Sequence, residues 1–283
     1  MSLTNRTLRC LSVFPTVRGW LWRIGRTFYM TGRGDVPNDP RHNGEYWLLQ
    51  HVITLSQIGD RLIDVGANRG DWSAEALRQG ADARGCSIDA FEPSDGTRAA
   101  LCARTRGAAV TVHRTALSDW EGDASFFEVS ELAGTNSLHP IHGGREVRVS
   151  VTTLDKFLAE RGYESIKFIK IDTEGFDLHV LRGGMASLRR GAVEAIQFEY
   201  NWRWVCAGST MWALFELISG TPYRCGKLVE AGIEFYDAWH PELDRFFEGN
   251  YVLIRRGSAL EALGKSMAFD GANIAVRPGE RDK

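Results

Sequence analysis

Short apolar runs alternate with stretches of helical periodicity through the middle of this chain. Residues 61–66 (RLIDVG), 86–93 (CSIDAFEP), 110–117 (VTVHRTAL), 166–172 (IKFIKID) and 193–200 (VEAIQFEY) read as strands bounded by turn residues. Residues 45–58, 71–79, 95–105, 176–190 and 210–219 read as helices between and after them. Residues 122–129 and 145–151 alternate like an inserted hairpin, and Thr152 opens a Thr-x-x-Asp capping signal for the helix TLDKFLAERG. Two or three late strands follow, the last being NYVLIRR (250–256). Strands this uniformly apolar are buried on both faces, so the pattern predicts an α/β fold with a mainly parallel sheet between helices. Such sheets bind ligands beyond the carboxyl ends of their strands.

The periodic region sets the expected domain at 45–256. Before it, residues 32–44 (GRGDVPNDPRHNG) have linker composition, so 1–44 read as an arm plus linker. After Arg256 the periodicity weakens, and 257–283 read as a tail ending in RPGERDK. Within the arm, Val17, Leu21, Ile24 and Phe28 share one helical face with Trp20 at its margin, while Arg18, Arg23 and Arg26 lie off it. A basic amphipathic helix of this kind either packs on its own domain or a second copy of the chain, or lies on an anionic membrane surface.

Charge sharpens that choice. Residues 1–34 carry six arginines and no carboxylate, against a net charge of −2 for all 283 residues, so the rest of the chain sums to −8. That balance does not suit a protein that coats nucleic acid. At 43% hydrophobic and 25% charged residues the chain is ordinary for a folded domain, which excludes general disorder. No run of 18 apolar residues offers a transmembrane helix, and arginines interrupt any signal-like stretch. Five cysteines without a CxxC pair argue against a disulfide scaffold or zinc ribbon. They fit a reducing compartment, hence the cytoplasm, with the arm allowing attachment at the inner face of a membrane.

The strand ends carry the candidate chemistry. The first reads Asp64-Val65-Gly66-Ala67-Asn68-Arg69-Gly70, a DxGxxxG turn whose small residues permit close ligand approach. Its spacing departs from the dinucleotide GxGxxG fingerprint and resembles the first motif of S-adenosylmethionine (SAM) methyltransferases. The second ends in Glu92-Pro93, where an acid can accept from a ribose diol or simply serve a turn or helix start. The fourth ends in Asp172-Thr173-Glu174-Gly175-Phe176-Asp177, an acidic cluster suited to a base, a metal site or helix-start stabilisation. The fifth adds Glu199 and Asn201 at the same edge.

In this order, LIDVGANRGDWS, AFEPSDGTRAAL, ALSDWEGDASFF, TLDKFLAERG, IKIDTEGFDLHVLRGG and IQFEYN resemble FkbM-type SAM-dependent methyltransferases over roughly residues 45–255. The resemblance implies a class I (Rossmann-like) methyltransferase fold with a seven-stranded sheet, and O-methylation of a saccharide, glycolipid or related natural-product hydroxyl. It implies that Asp64, Gly66, Ala67, Asn68 and Gly70 surround the methionine part of SAM, that Glu92 holds the ribose with Pro93 shaping its turn, and that Ala116, Leu117 and Ser118 border the adenine. Asp172 and Glu174 would face the reacting methyl group, Asp172 being the first choice of base, with Glu199 a second candidate and Glu199 and Asn201 otherwise serving acceptor binding or capping. Mg²⁺ held by Asp172 and Glu199 is the less favoured alternative, since no third ligand is evident.

Other residues stay unassigned. His139 and His142 follow a Gly134-Thr135-Asn136-Ser137 stretch that reads as a surface loop or a lid over the acceptor. His179 reads as a packing residue, and Trp202, Trp204 and Trp212 as a sugar-stacking wall or as core. Two other functions fit the pattern less well. They are a nicotinamide-dependent oxidoreductase on a similar sheet, and a catalytically silent module that binds through the arm.

Overall fold

The computed structural model describes residues 14–35, 38–128, 138 and 144–279. Its strands are β1 (Arg61–Val65), β2 (Ser87–Phe91), β3 (Val110–His113), β4 (Ala116–Ser118), β5 (Gly122–Glu128), β6 (Arg145–Thr153), β7 (Ile166–Ile171), β8 (Val193–Tyr200), β9 (Tyr223–Val229), β10 (Gly232–Tyr236), β11 (Gly249–Arg255), β12 (Gly264–Phe269) and β13 (Ala275–Val276). Ten of these form one sheet in the order β13-β12-β10-β9-β11-β8-β7-β1-β2-β3. The pairs β3–β2, β2–β1, β1–β7 and β7–β8 are parallel, and β11 runs antiparallel between β8 and β9.

The alternation of apolar side chains builds a core on each face. Ile63, Val65, Ile169, Ile171, Ile196 and Phe198 pack with Leu154, Phe157, Leu178, Leu181, Leu188 and Leu214 from helices on one side. Leu62, Phe168, Ala195 and Val252 pack with Leu48, Leu49, Val52, Trp72 and Ala76 from the helices Glu45–Thr54 and Asp71–Arg78 on the other. Each such aliphatic side chain, fully removed from water, contributes about 1.5–3 kcal/mol, which explains why these strands carry apolar residues on both faces.

The structure corrects several expectations. The seven central strands have the expected arrangement, but the sheet continues past β9. A two-residue turn after Val229 folds β10 back on β9, and β12 and β13 follow beyond it. Residues 257–276, expected in a tail, therefore contribute strands to the sheet edge. The run 110–117 is two strands, parted at Arg114-Thr115. There the chain leaves the main sheet and β4 joins a small sheet ordered β4-β6-β5. The cap of the helix Leu154–Arg161 is Thr153, whose hydroxyl accepts from the Lys156 N–H, and not Thr152. The segment 176–190 is two helices, Asp177–Arg182 and Met185–Arg189. Gly183 separates them because it abuts the small sheet: a Cβ there would lie 2.0 Å from the Ser118 carbonyl oxygen.

The arm forms the helix Pro15–Gly32, none of whose residues is buried. Its last turn is tied to the domain: the Tyr29 hydroxyl donates to the Glu242 carboxylate, and Arg33 pairs with Glu242 at 2.8 Å and Asp35 at 2.9 Å. No described helix is long and apolar enough to cross a membrane.

Asp155, expected in a capping signal for its own helix, instead accepts from the Ala186 and Ser187 N–H groups, each at 2.8 Å, at the start of Met185–Arg189. Asp155→Ala should lower stability by about 1–2 kcal/mol, the usual cost of a lost cap, in urea denaturation. A change under about 0.3 kcal/mol would mean that water serves those amides equally well.

Candidate active site

Parallel register brings the strand ends to one edge. Val65 is level with Phe91 and Ile171, and Ile171 with Phe198. The chain runs outward from β1 through β2 to β3, then returns to β7 on the other side of β1. The strand order reverses there, which is where open α/β sheets leave a crevice. Gly66 leaves β1 at φ 78°, and a Cβ on it would come within 1.9 Å of the Asp172 carbonyl oxygen, so only glycine lets the two loops meet.

A cleft of about 630 Å³, measured to its open mouth, occupies this crevice. At one end stands Glu92, whose two carboxylate oxygens each accept one backbone N–H: Asn68 at 2.8 Å and Ser94 at 2.8 Å. Asn68 reaches this position with φ 48°. The Thr97 hydroxyl is a third partner of this carboxylate. Burial pushes the Glu92 carboxyl up, opposed by those N–H groups. Ala116, Leu117, Phe126 and Leu138 give the neighbouring wall an apolar surface, with the Thr97 and Thr115 side chains beside them.

At the other end the cleft is acidic. Asp172 is paired with Lys170 at 2.8 Å, and although burial acts against its charge, the ammonium holds its carboxyl below the ordinary range. Glu174, at φ 56°, pairs with Arg203 at 2.9 Å. Burial, reinforced by the Asp172 charge, pushes its carboxyl up to about 8 despite that arginine. Asp177 accepts from the Thr173 hydroxyl at 3.1 Å and the Gly175 N–H at 3.3 Å, and burial raises it to about 7. Glu199 is pushed well up by burial and the Asp172 charge, and it shares the side chain of Asn38 with Glu248. Among the described residues no group of three or more His, Cys, Asp or Glu is arranged to hold a metal ion.

Of the residues singled out in the sequence, Gly66, Asn68, Glu92, Pro93, Ala116, Leu117, Asp172 and Glu174 line the cleft. Five others stand behind its lining. Asp64 is fully buried in β1, where one oxygen takes the Ser73 hydroxyl at 2.6 Å. Ala67 packs with Ala90 and Leu101, and Gly70 caps the helix Asp71–Arg78. Ser118 is buried against Gly183, and Glu199 interacts with Asp172 without lining the cleft. Asn201 caps its own turn by accepting from the Arg203 N–H at 2.8 Å. Trp204 is core and donates to the Glu199 carbonyl, whereas Trp202 and Trp212 are exposed. His179 bonds Asp119 and the Ala207 carbonyl. His139 and His142 lie outside the described residues.

Sequence reasoning missed Lys170, Arg203, Glu248, Asn38, Phe126 and Leu138. Only Lys170 carried a clear signal: a lysine inside the apolar run IKFIKID has to find a counter-charge.

Comparison with known proteins adds the following. A family model described as methyltransferase FkbM domain matches residues 64–225, more than half of the chain. No curated protein matches. Among solved structures, similarity is found to a methyltransferase FkbM from Methylobacillus flagellatus KT, with 16% identity and a TM-score of 0.44 over 71% of this chain and 45% of that one. It is also found to a putative rRNA-methylase from Clostridium thermocellum, with 8% identity and a TM-score of 0.43 over 75% and 97%. A third is an rRNA methylase from Streptococcus thermophilus, with 10% identity and a TM-score of 0.41 over 78% and 98%. The chain thus spans less than half the length of the first of these.

The raised carboxyls predict a pH dependence of stability. Glu174 and Asp177 titrate near 8 and 7 in the fold but near 4 when unfolded, so the native state holds protons that the unfolded chain releases. Their contribution is complete below about pH 4 and is lost as pH rises through 7 and 8. The melting temperature should fall between pH 6 and 9, and a Glu174→Gln/Asp177→Asn variant should flatten that slope. A wild-type curve that is level over this range would return both acids to ordinary values.

Proposed function

This chain belongs to the methyltransferase FkbM family of SAM-dependent enzymes, and we propose that it transfers a methyl group to a hydroxyl of a saccharide, glycolipid or related natural product. The observation that carries this reading is Glu174, a half-buried acid that lines the cleft, is held by Arg203 and has its carboxyl raised to about 8. A hydroxyl must lose its proton during methylation, and an acid tuned near neutrality is a suitable acceptor for it.

The cleft suits SAM. Glu92 is held by two N–H groups and lines the cleft, where a carboxylate can accept from a ribose hydroxyl. Ala116, Leu117, Phe126 and Leu138 would cover the adenine, while Gly66 and Asn68 would leave room for the methionine part. Behind the cleft, Asp64, Ala67 and Gly70 support that loop, and Ser118 the adenine wall. Bound there, SAM supplies an electrophilic sulfonium methyl group. The chain's task is then to align the acceptor oxygen, exclude water and take its proton.

Asp172, first choice from the sequence, is a weaker base than Glu174 because the Lys170 ammonium occupies one of its oxygens. Its charge instead keeps Glu174 basic, and Arg203 fixes the Glu174 carboxylate in place. Glu199, its carboxyl pushed up by burial and the Asp172 charge, backs the acceptor end, and exposed Trp202 offers a face for a sugar ring beside Arg203.

Two experiments test this reading. Glu92→Ala should weaken SAM binding about ten- to hundred-fold in calorimetry, the effect of losing about 1.5–3 kcal/mol of charge-assisted bonding; unchanged affinity would remove Glu92 from the site. With labelled SAM and a glycan extract, Glu174→Gln should keep SAM affinity but lower turnover about a hundred-fold. Asp172→Asn should shift the acidic limb of the rate profile to lower pH. A hundred-fold loss in Asp172→Asn with that limb unmoved would instead make Asp172 the base, and loss in EDTA restored by Mg²⁺ would select a metal route.

A further inference from the structure

The helix Pro15–Gly32 meets the domain with the wrong side for a packing element. Its contacts come from Arg26, Tyr29 and Arg33, which lie on the side opposite the Val17, Leu21, Ile24 and Phe28 stripe. Tyr29 and Arg33 bind Glu242, and the guanidinium groups of Arg26 and Arg33 sit 5.2 and 5.8 Å from the centre of the Phe247 ring. Leu21 and Ile24 of the apolar stripe face away, whereas Val17 is half-buried. Ile24 is 47% and Phe28 74% exposed, and Trp20 at the margin of the stripe is 64% exposed. Phe28 borders an apolar groove with Phe269 and Ile274, yet most of its ring remains in solvent. At about 1.5 Å per residue the helix is roughly 27 Å long, so its free face is large.

Two occupants suit an exposed apolar stripe: a second copy of the helix or a lipid surface. Charge separates them. Arg18 and Arg23 flank the stripe, and no carboxylate occurs before Asp35. Two such helices face to face would bring arginine against arginine with nothing to neutralise either. An anionic bilayer supplies the missing charge, and tryptophans at the margin of an apolar face suit the headgroup boundary.

We propose that this helix is an interfacial anchor that lies on an anionic lipid bilayer with Val17, Leu21, Ile24 and Phe28 in its apolar layer. Each arginine near such a surface contributes about five-fold in partition, so Arg18 and Arg23 together give roughly twenty-five-fold. The anchor is joined to the acidic end of the cleft. Asp35, just beyond the helix, pairs with Lys227, and Asn38 donates to Glu199 and Glu248. Docking would therefore bring that end toward the bilayer, where it meets an acceptor carried on a lipid; this last step rests on the acceptor end assigned above.

Full-length protein sedimented with phosphatidylcholine vesicles containing 30% phosphatidylglycerol (about a third of the lipid) tests the anchor. Binding should be at least ten-fold tighter than to pure phosphatidylcholine and should weaken as salt rises. A Leu21→Ser/Ile24→Ser variant should lose at least ten-fold in vesicle binding while its SAM affinity is unchanged, which shows that the domain is intact. Equal binding to both vesicle types, no binding, or an unaffected variant would overturn the anchor. A two-chain mass in equilibrium sedimentation that falls to one chain in the variant, without vesicle binding, would also overturn it and give the face to a second copy. Vesicle binding by a chain that fails to bind SAM would leave the anchor standing and defeat the methyl-transfer reading alone.

Discussion

A single buried ammonium organises the acidic end of the cleft. Lys170 stands in β7, level with Asp64 in β1 and Gln197 in β8, and its charge is stabilised by Asp172, Glu45 and Asp64. An uncompensated ammonium at that depth would cost several kcal/mol, so these carboxylates are a condition of the fold. Glu45 comes from the first helix of the domain and is held by the Gln197 amide at 2.6 Å, which itself donates to Asn250. One lysine thereby ties a helix, three central strands and the loop after β7 into one electrostatic unit. It also keeps Asp172 ionised, and that fixed negative charge raises Glu174, Asp177 and Glu199. The chemistry at the sheet edge is set by a residue that does not line the cleft.

The apolar runs were legible as strands because burial on both faces leaves a simple mark in sequence. The placing of Gly66, Glu92, Asp172 and Glu199 at one edge followed from parallel pairing. Features that depend on contacts between distant segments were not legible. Nothing in VTVHRTAL says that β3 and β4 belong to different sheets, although Arg114-Thr115 marks the break once it is seen. The Gly183-Gly184 break reads as helix until the small sheet is placed against it. Asp155 fits a capping box for its own helix and instead serves the helix Met185–Arg189. The late strands β12 and β13 have short, mixed sequences, and their pairing with the hairpin edge supplies an order that their composition lacks.

The same distinction holds within the site. Motif residues close to strand ends were visible, but the division between those that line the cleft and those that brace it was not. Asp64 and Glu92 both follow or end an apolar run, yet Asp64 is sealed beneath Ser73 while Glu92 opens into the cleft. The small sheet explains part of this. β4 and β5 contribute Ala116, Leu117 and Phe126 to one wall, so an element inserted after β3 closes a crevice that the main sheet leaves open.

The contact between Gly66 and the Asp172 backbone has a consequence for ligand affinity. The loop after β1 cannot shift without displacing the loop after β7, because no space separates them. Filling the Glu92 end first would settle the Gly66–Asn68 turn and, through it, the acids at the other end. Ligands at the two ends of this cleft would then influence each other's affinity through this backbone contact.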